Sequence, residues 1–295
     1  MSADADNKKQ ATTIAQLVEI SSNDAKGYVQ SGHADNLADS PNIKSAEQKR
    51  KKVELLDRLR ELHMLVPGSD LNREILDDYR RIKRPLVSNA VGKNKLMVER
   101  GNLILVTSSL PGEGKTHTAL NLALSIAQEM DTTVLLVDCD VAKHGVSRML
   151  GIEKAEGLVD VLENESVTVG DVMMQTDIPT LSVMSAGKQH EYVTELLASD
   201  RMSALTDEIA NRYSDRIVIF DGPPLLPTPQ TQVLAGLVGQ VVFVIETGKT
   251  PQALVEEALE LIPEEQAVGL VLNKNEGLSG KGSYYYGYYG PVVDD

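Results

Sequence analysis

The chain has 295 residues, 42% hydrophobic but only 4% aromatic, with no Trp and two Phe, so its core is expected to be Val, Leu, Ile and Ala, which suits strands buried under helices. The formal net charge of −14 is uneven: residues 1–100 carry eighteen Lys and Arg against fifteen Asp and Glu, whereas residues 101–295 carry eleven against twenty-eight. The acidic bulk argues against a nucleic-acid surface, which needs clustered cations; no apolar run approaches the roughly 20 residues of a membrane span, and the start lacks the apolar stretch of a signal peptide.

Residues 1–42 are rich in Ser, Asp, Asn and Ala without sustained periodicity, and read as disordered apart from a short helix around "TIAQLVEI". The stretch 45–65 is expected to be helical: Val53, Leu56 and Leu59 recur every third residue, Glu54 faces Arg58, and Pro67 and Gly68 end it. A second helix runs through 71–86, with Ile75, Tyr79, Ile82 and Leu86 in one apolar stripe, Asp77, Arg80 and Lys83 on another face, and Pro85 kinking or ending it. The basic clusters 49–52 and 80–84 read as solvated helix faces.

From residue 103 short apolar runs alternate with helical stretches. The runs are "LILVTS", "VLLVD", "LSVMSAG", "IVIFDGPP", "QVVFVIE" and "VGLVLNK". None alternates polar with apolar, so both faces of each strand are expected to be buried. Helices are expected at "THTALNLALSIAQEM", "YVTELLAS", "MSALTDEIANRY" and "PQALVEEALELI". This order predicts an α/β fold, a mostly parallel sheet with helices on both faces. The tail 277–295 is low-complexity Gly, Ser and Tyr.

"LILVTSSLPGEGKTHTALNLALSIA" reads as strand, glycine-rich loop and helix. Gly114, Lys115 and Thr116 match the end of the Walker A pattern, with Ser109 in place of its first glycine. Pro111 to His117 would surround the phosphates of a nucleotide with loop amides and a helix N-terminus. Gly112 and Gly114 permit close approach. Lys115 would reach the β- and γ-phosphates, and the Thr116 hydroxyl would hold Mg²⁺.

Asp138 and Asp140 end one buried strand and Asp221 ends another, at the carboxyl edge where open α/β sheets bind ligands. Three carboxylates and a threonine hydroxyl at a phosphate loop would make a Mg²⁺ site of hard oxygen ligands, with Thr116, Asp138 and Asp221 as the metal set. If a phosphoryl group is transferred at such a site, Asp138 or Asp140 would orient the acceptor hydroxyl or take its proton. Cys139, the only cysteine, reads as a packing residue; it leaves no internal disulfide and fits a reducing cytosol. Asn273 reads as a turn former that could approach an adenine, and Thr250 with Pro251 as a helix cap and first turn.

"SSLPGEGKT", "VLLVDCD" and "IVIFDGPP" together resemble the three nucleotide motifs of the deviant Walker ATPases. Partition and cell-division members carry a signature lysine where this chain has Leu110, which weakens a positioning switch as a reading, while the intact Lys115, Thr116 and three aspartates count against a nucleotide-binding module without turnover. "PGEGKT", "FDGPP" and a C-terminal tyrosine cluster resemble the bacterial tyrosine kinases of exopolysaccharide synthesis, and "DDYRRIKRP" the exosortase-associated tyrosine autokinases, over roughly residues 71–295. The resemblance implies a P-loop kinase domain at 96–276 using ATP and Mg²⁺, with Lys115, Asp138, Asp140 and Asp221 catalytic. It implies acceptor tyrosines Tyr284, Tyr285, Tyr286, Tyr288 and Tyr289 on the tail 277–295. It further implies a homo-oligomeric ring, with an oligomerisation motif in helices 43–95. The family's Glu-x-x-Arg-x-x-Arg falls on Asp77, Arg80 and Lys83, and its arginine after the second aspartate falls on Ala142, followed by Lys143. The implied partners are a membrane activator of the chain-length-determinant type, recruiting a cytoplasmic chain to the inner membrane face, and a cognate tyrosine phosphatase. A glycine-spaced tail supplies the reach that transfer requires.

Overall fold

A computed structural model describes residues 51–66, 73–91, 98–190, 192–212 and 215–274. The segment read as disordered and the tyrosine tail lie outside them. The strands are β1 Lys52–Val53, β2 Leu103–Ser108, β3 Thr133–Asp138, β4 Met174–Thr176, β5 Leu181–Met184, β6 Arg216–Asp221, β7 Gln240–Glu246 and β8 Ala267–Asn273. They form one sheet in the order β1-β4-β5-β3-β6-β2-β7-β8. All neighbours are parallel except β4 and β5.

Parallel neighbours need crossovers, and helices supply them. They are α1 Leu56–Glu61, α2 Arg73–Val91, α3 Lys115–Ile126, α4 Gly145–Leu150, α5 Leu158–Glu163, α6 Val169–Val172, α7 Val193–Leu197, α8 Asp200–Arg212, α9 Gln230–Leu237 and α10 Gln252–Leu259. On one face, Leu59, Leu86 and Leu122 pack with Ile104, Val106, Ile219 and Val242 of the sheet. On the other, Leu162, Met202, Leu234 and Ala258 pack with Leu103, Leu105, Val218 and both phenylalanines, Phe220 and Phe243. Each of the larger side chains contributes about 1.5–3 kcal/mol when fully buried, so the unbroken apolar runs set where the sheet lies.

Three expectations change. The helix expected over 45–65 shrinks to α1, because Lys52 and Val53 pair with Gln175 and Thr176 of β4. The Asp177 carboxylate then accepts the N–H groups of Leu55 and Leu56 at 2.9 and 3.1 Å, starting the helix from a site far off in sequence. Arg58 pairs with Glu61 rather than Glu54. Pro85 neither ends nor bounds α2, which continues to Val91. The proline faces solvent, where water can serve the carbonyl it leaves unbonded, while Leu86 beyond it is buried. Finally, β8 is the sheet's outer edge. Val268, Leu270 and Leu272 are 41, 56 and 65% exposed, so the expectation of burial on both faces fails there.

Candidate active site

The phosphate loop joins β2 to α3. Gly112 and Gly114 have φ of +92° and +99°, the left-handed region that favours glycine. A Cβ at position 114 would also collide with the Asn273 amide. Glu113 is buried: its carboxylate accepts the Leu110 N–H at 2.6 Å and the Thr250 hydroxyl. Asn273 Nδ2 donates to Glu113 O at 2.8 Å, and Lys274 Nζ to Gly112 O at 2.7 Å. Thr250 is therefore a brace on the loop and not the cap of α10, which has no side-chain cap. Asn273 likewise holds the loop. His117 turns its ring to Asn121 Nδ2, 3.2 Å away on α3. Pro111 is exposed on the loop.

Neighbouring strands β3 and β6 set Asp138 and Asp221 opposite each other in register. The three aspartates have different partners. Asp140 pairs with Lys115, Nζ to Oδ2 at 2.9 Å, with both side chains buried. Asp138 Oδ2 accepts the Ser147 N–H at 2.8 Å and its hydroxyl at 2.6 Å. Burial pushes the Asp138 carboxyl up, and the Ser147 bonds oppose that shift. Asp221 is wholly buried and neither oxygen has a hydrogen-bond partner. Burial pushes it up to about 8; Lys115 pulls it down, Asp138 pushes it up, and Thr116 gives some relief without a bond of normal geometry. Cys139 is buried, and burial beside these carboxylates raises its thiol well above the ordinary range, which removes it as a nucleophile.

Beside the Lys115–Asp140 pair lies a cavity of about 470 Å³ lined by Pro111, Asp140, Lys143, His190, Pro223 and Pro224, among others. Asp140 reaches this cavity; Asp138 and Asp221 do not. That separates two carboxylates which spacing alone leaves equivalent.

Among the described residues, no three acidic, His or Cys side chains gather as a metal cluster. The donors on offer are Asp138, Asp221 and the Thr116 hydroxyl, all hard oxygens suited to Mg²⁺. The unsatisfied Asp221 carboxylate fits a cation, since a buried anion without a partner is costly. Gly145 keeps the space open: a Cβ there would lie 2.8 Å from Thr116 Oγ1 and 3.3 Å from Asp221 Oδ2. Its φ is not left-handed, so alanine is tolerated by the backbone. We therefore expect Gly145→Ala to keep the fold but weaken magnesium–nucleotide binding by about tenfold, the scale of disturbing metal-supporting residues. Titration calorimetry with an ATP analogue checks this; unchanged affinity would overturn it.

Of the residues matched to the ring motif, Asp77 and Arg80 pair with each other at 2.9 Å on an exposed face. Lys83 is turned inward, 8% exposed, with Nζ 2.7 Å from Ser125 O and 2.7 Å from Glu129 Oε1 of the same chain. It joins α2 to the helix behind the phosphate loop, so its ammonium is not presented to a neighbour. The basic cluster 80–84 is thus only partly a solvated face. Tyr284, Tyr285, Tyr286, Tyr288 and Tyr289 lie outside the described residues.

Sequence reasoning missed Ser147, Lys274 and the bracing role of Thr250. Only Lys274 carried a usable signal, because it follows a strand ending on the same carboxyl edge as the loop.

The family described as AAA domain matches residues 101–259. Tyrosine-protein kinase YwqD of Bacillus subtilis is 34% identical over 189 residues, 63% of this chain and 77% of that protein. The succinoglycan biosynthesis transport protein ExoP of Rhizobium meliloti is 30% identical over 72% of this chain but only 27% of its own length. The crystal structure of the VpsO kinase domain superposes with a TM-score of 0.53 at 28% identity, covering 67% of this chain and 98% of that one. A braced phosphate loop, a buried lysine and acidic tips on adjacent parallel strands, in a chain matched in this way, place the protein in the family of bacterial tyrosine-protein kinases built on an AAA domain.

Proposed function

We propose that this kinase transfers the γ-phosphoryl group of ATP to its own C-terminal tyrosines, Tyr284, Tyr285, Tyr286, Tyr288 and Tyr289, between subunits of an oligomer. The observation that carries this reading is the Lys115–Asp140 pair, whose Asp140 lines the cavity next to the phosphate loop. Loop amides and Lys115 bind and neutralise the phosphates. Asp140, facing the cavity, orients the phenol and receives its proton once Lys115 has turned to phosphate. Thr116, Asp138 and Asp221 would hold Mg²⁺, which would supply neutralisation of charge on the transferring group. Pro223 and Pro224 give the acceptor ring an apolar wall. Because the transition state is loose, positioning and charge neutralisation matter more than base strength.

The exit of the tail supports this reading. Lys274 is bonded to the phosphate loop, so the chain leaves the body beside the site. Ten residues separate Lys274 from Tyr284 and span at most ~35 Å when extended, the length over which the tail would have to meet an acceptor cavity. Each phosphotyrosine adds about −1.5 to −2 charges, and several would repel one another and the acidic body. Among the described residues no helix is long and apolar enough to cross a membrane. A membrane activator of the chain-length-determinant type would hold the kinase at the inner membrane face, in polysaccharide synthesis or export as the ExoP name suggests, and a tyrosine phosphatase would reset it.

Incubation with ATP and Mg²⁺ is expected to yield phosphotyrosine mapped by mass spectrometry to 284–289. Replacing the five tail tyrosines by phenylalanine should remove most of it. Mixing that variant with Lys115→Met should label the Lys115→Met tail, which reports transfer between chains. Nucleotide hydrolysis with no phosphotyrosine would replace the kinase reading with that of an ATPase switch.

A further inference from the structure

Asp138 does not stand alone behind the phosphate site. Ser147 on α4 and Ser185 just after β5 are both fully buried. Ser147 Oγ lies 2.6 Å from Asp138 Oδ2 and 3.3 Å from Ser185 Oγ, and accepts the Ala186 N–H at 3.1 Å. Ser185 Oγ accepts the Gly187 N–H at 3.2 Å. The proton directions follow from what each atom can do. An ionised carboxylate only accepts, so the Ser147 hydroxyl hydrogen points at Asp138. With its single hydrogen spent, Ser147 Oγ must accept from Ser185, whose own hydrogen is thereby committed. The chain runs one way, from the Gly187 amide through Ser185 and Ser147 to Asp138.

The same accounting applies to the two oxygens of Asp138. Oδ2 receives the Ser147 amide and hydroxyl. Oδ1 receives only the Asp140 amide, at a longer 3.2 Å. One oxygen is saturated and the other retains a lone pair.

We propose that Ser147, backed by Ser185, is a positioning residue for phosphoryl transfer: it saturates Asp138 Oδ2 and turns Oδ1 alone toward the metal–nucleotide. This rests on the reading of Asp138 as part of the Mg²⁺ site. Directed hydrogen bonds to a buried anion strengthen one another along such a chain, and fix the acceptor's orientation as well as its charge. The relay begins at Gly187, two residues before Gln189 of the cavity wall.

The test compares wild-type protein with Ser147→Ala, Ser147→Thr and Ser185→Ala. Three quantities are read: Mn²⁺ affinity by electron paramagnetic resonance with a non-hydrolysable ATP analogue, tail phosphorylation as kcat and KM, and the thermal midpoint. Ser147→Ala keeps the amide bond and loses the hydroxyl. It should weaken Mn²⁺ binding and lower kcat by about 10–100-fold, the range for residues that orient metal ligands. Ser147→Thr restores the hydroxyl and should recover most of both. Ser185→Ala, one bond further out, should act in the same direction by a few-fold, and it serves as the test if Ser147→Ala does not fold. A lowered thermal midpoint with Mn²⁺ affinity and kcat intact would show a packing role and overturn the proposal. If wild-type protein binds no Mn²⁺–nucleotide, the parent reading of the site fails instead.

Discussion

With Asp221→Asn, the nucleotide-free protein is expected to melt several degrees higher than wild type at pH 9, while kinase activity falls by about a thousandfold, the scale of charge-stabilising groups in phosphoryl transfer. Asp221 is fully buried with both oxygens unpaired, and its carboxyl is raised from 3.8 to about 8. A raised acid favours folding while it is protonated. Its contribution is complete below about pH 4 and is lost as pH rises through about 8. Each unit corresponds to ~1.4 kcal/mol, so the strain above pH 8 reaches at most several kcal/mol. Asparagine has the same shape without the charge, and its amide can donate to neighbouring acceptors. The stability gap between variant and wild type should therefore be near zero at pH 4, grow to pH 8, and level off. Calorimetric melting at pH 4, 6 and 9 checks this. Equal gaps at all three values, or a destabilised variant at pH 9, would show that Asp221 is not held as a strained anion. The loss of transfer is the functional counterpart: the charge that weakens the empty site is the one suited to a cation.

Lys115→Met should abolish tail phosphotyrosine, by at least about a thousandfold, since phosphate charge then goes unanswered. It should also destabilise the empty protein. Lys115 and Asp140 lie buried at 2.9 Å, and removing one partner of a buried pair costs about 3–5 kcal/mol through the charge left behind. Stability and catalysis separate in the double variant Lys115→Met with Asp140→Asn, which removes the stranded charge. It should recover much of the thermal midpoint and none of the transfer. Phosphotyrosine that survives Lys115→Met would sink the assignment, and transfer that returns with Asp140→Asn would show that the single variant had only misfolded.

The α/β architecture was legible from residues 103–273 because each run of Val, Leu and Ile was long enough for a strand, and helical periodicity stood between the runs. The loop Pro111 to Thr116 and the strand-end aspartates were legible for a local reason: the backbone that shapes them is contiguous. What failed depended on partners far along the chain. Lys52 and Val53 left helix for strand because β4 offered an edge. Lys83, alike in sequence to a surface cation, folded inward because Ser125 O and Glu129 lay beneath it. Pro85 looked like a stop until its solvent side was known.

By itself, the sequence determined the phosphate loop, the three carboxylates at strand ends and the class of fold, since each is written in neighbouring residues whose pattern carries its own chemistry. Only the tertiary structure decided how those carboxylates divide: Asp140 to Lys115 and the cavity, Asp138 to Ser147, and Asp221 to a buried place where neither oxygen has a hydrogen-bond partner of normal geometry. Identical side chains acquire different roles from burial and from donors set down by other strands and helices, and that environment exists only once the sheet has assembled.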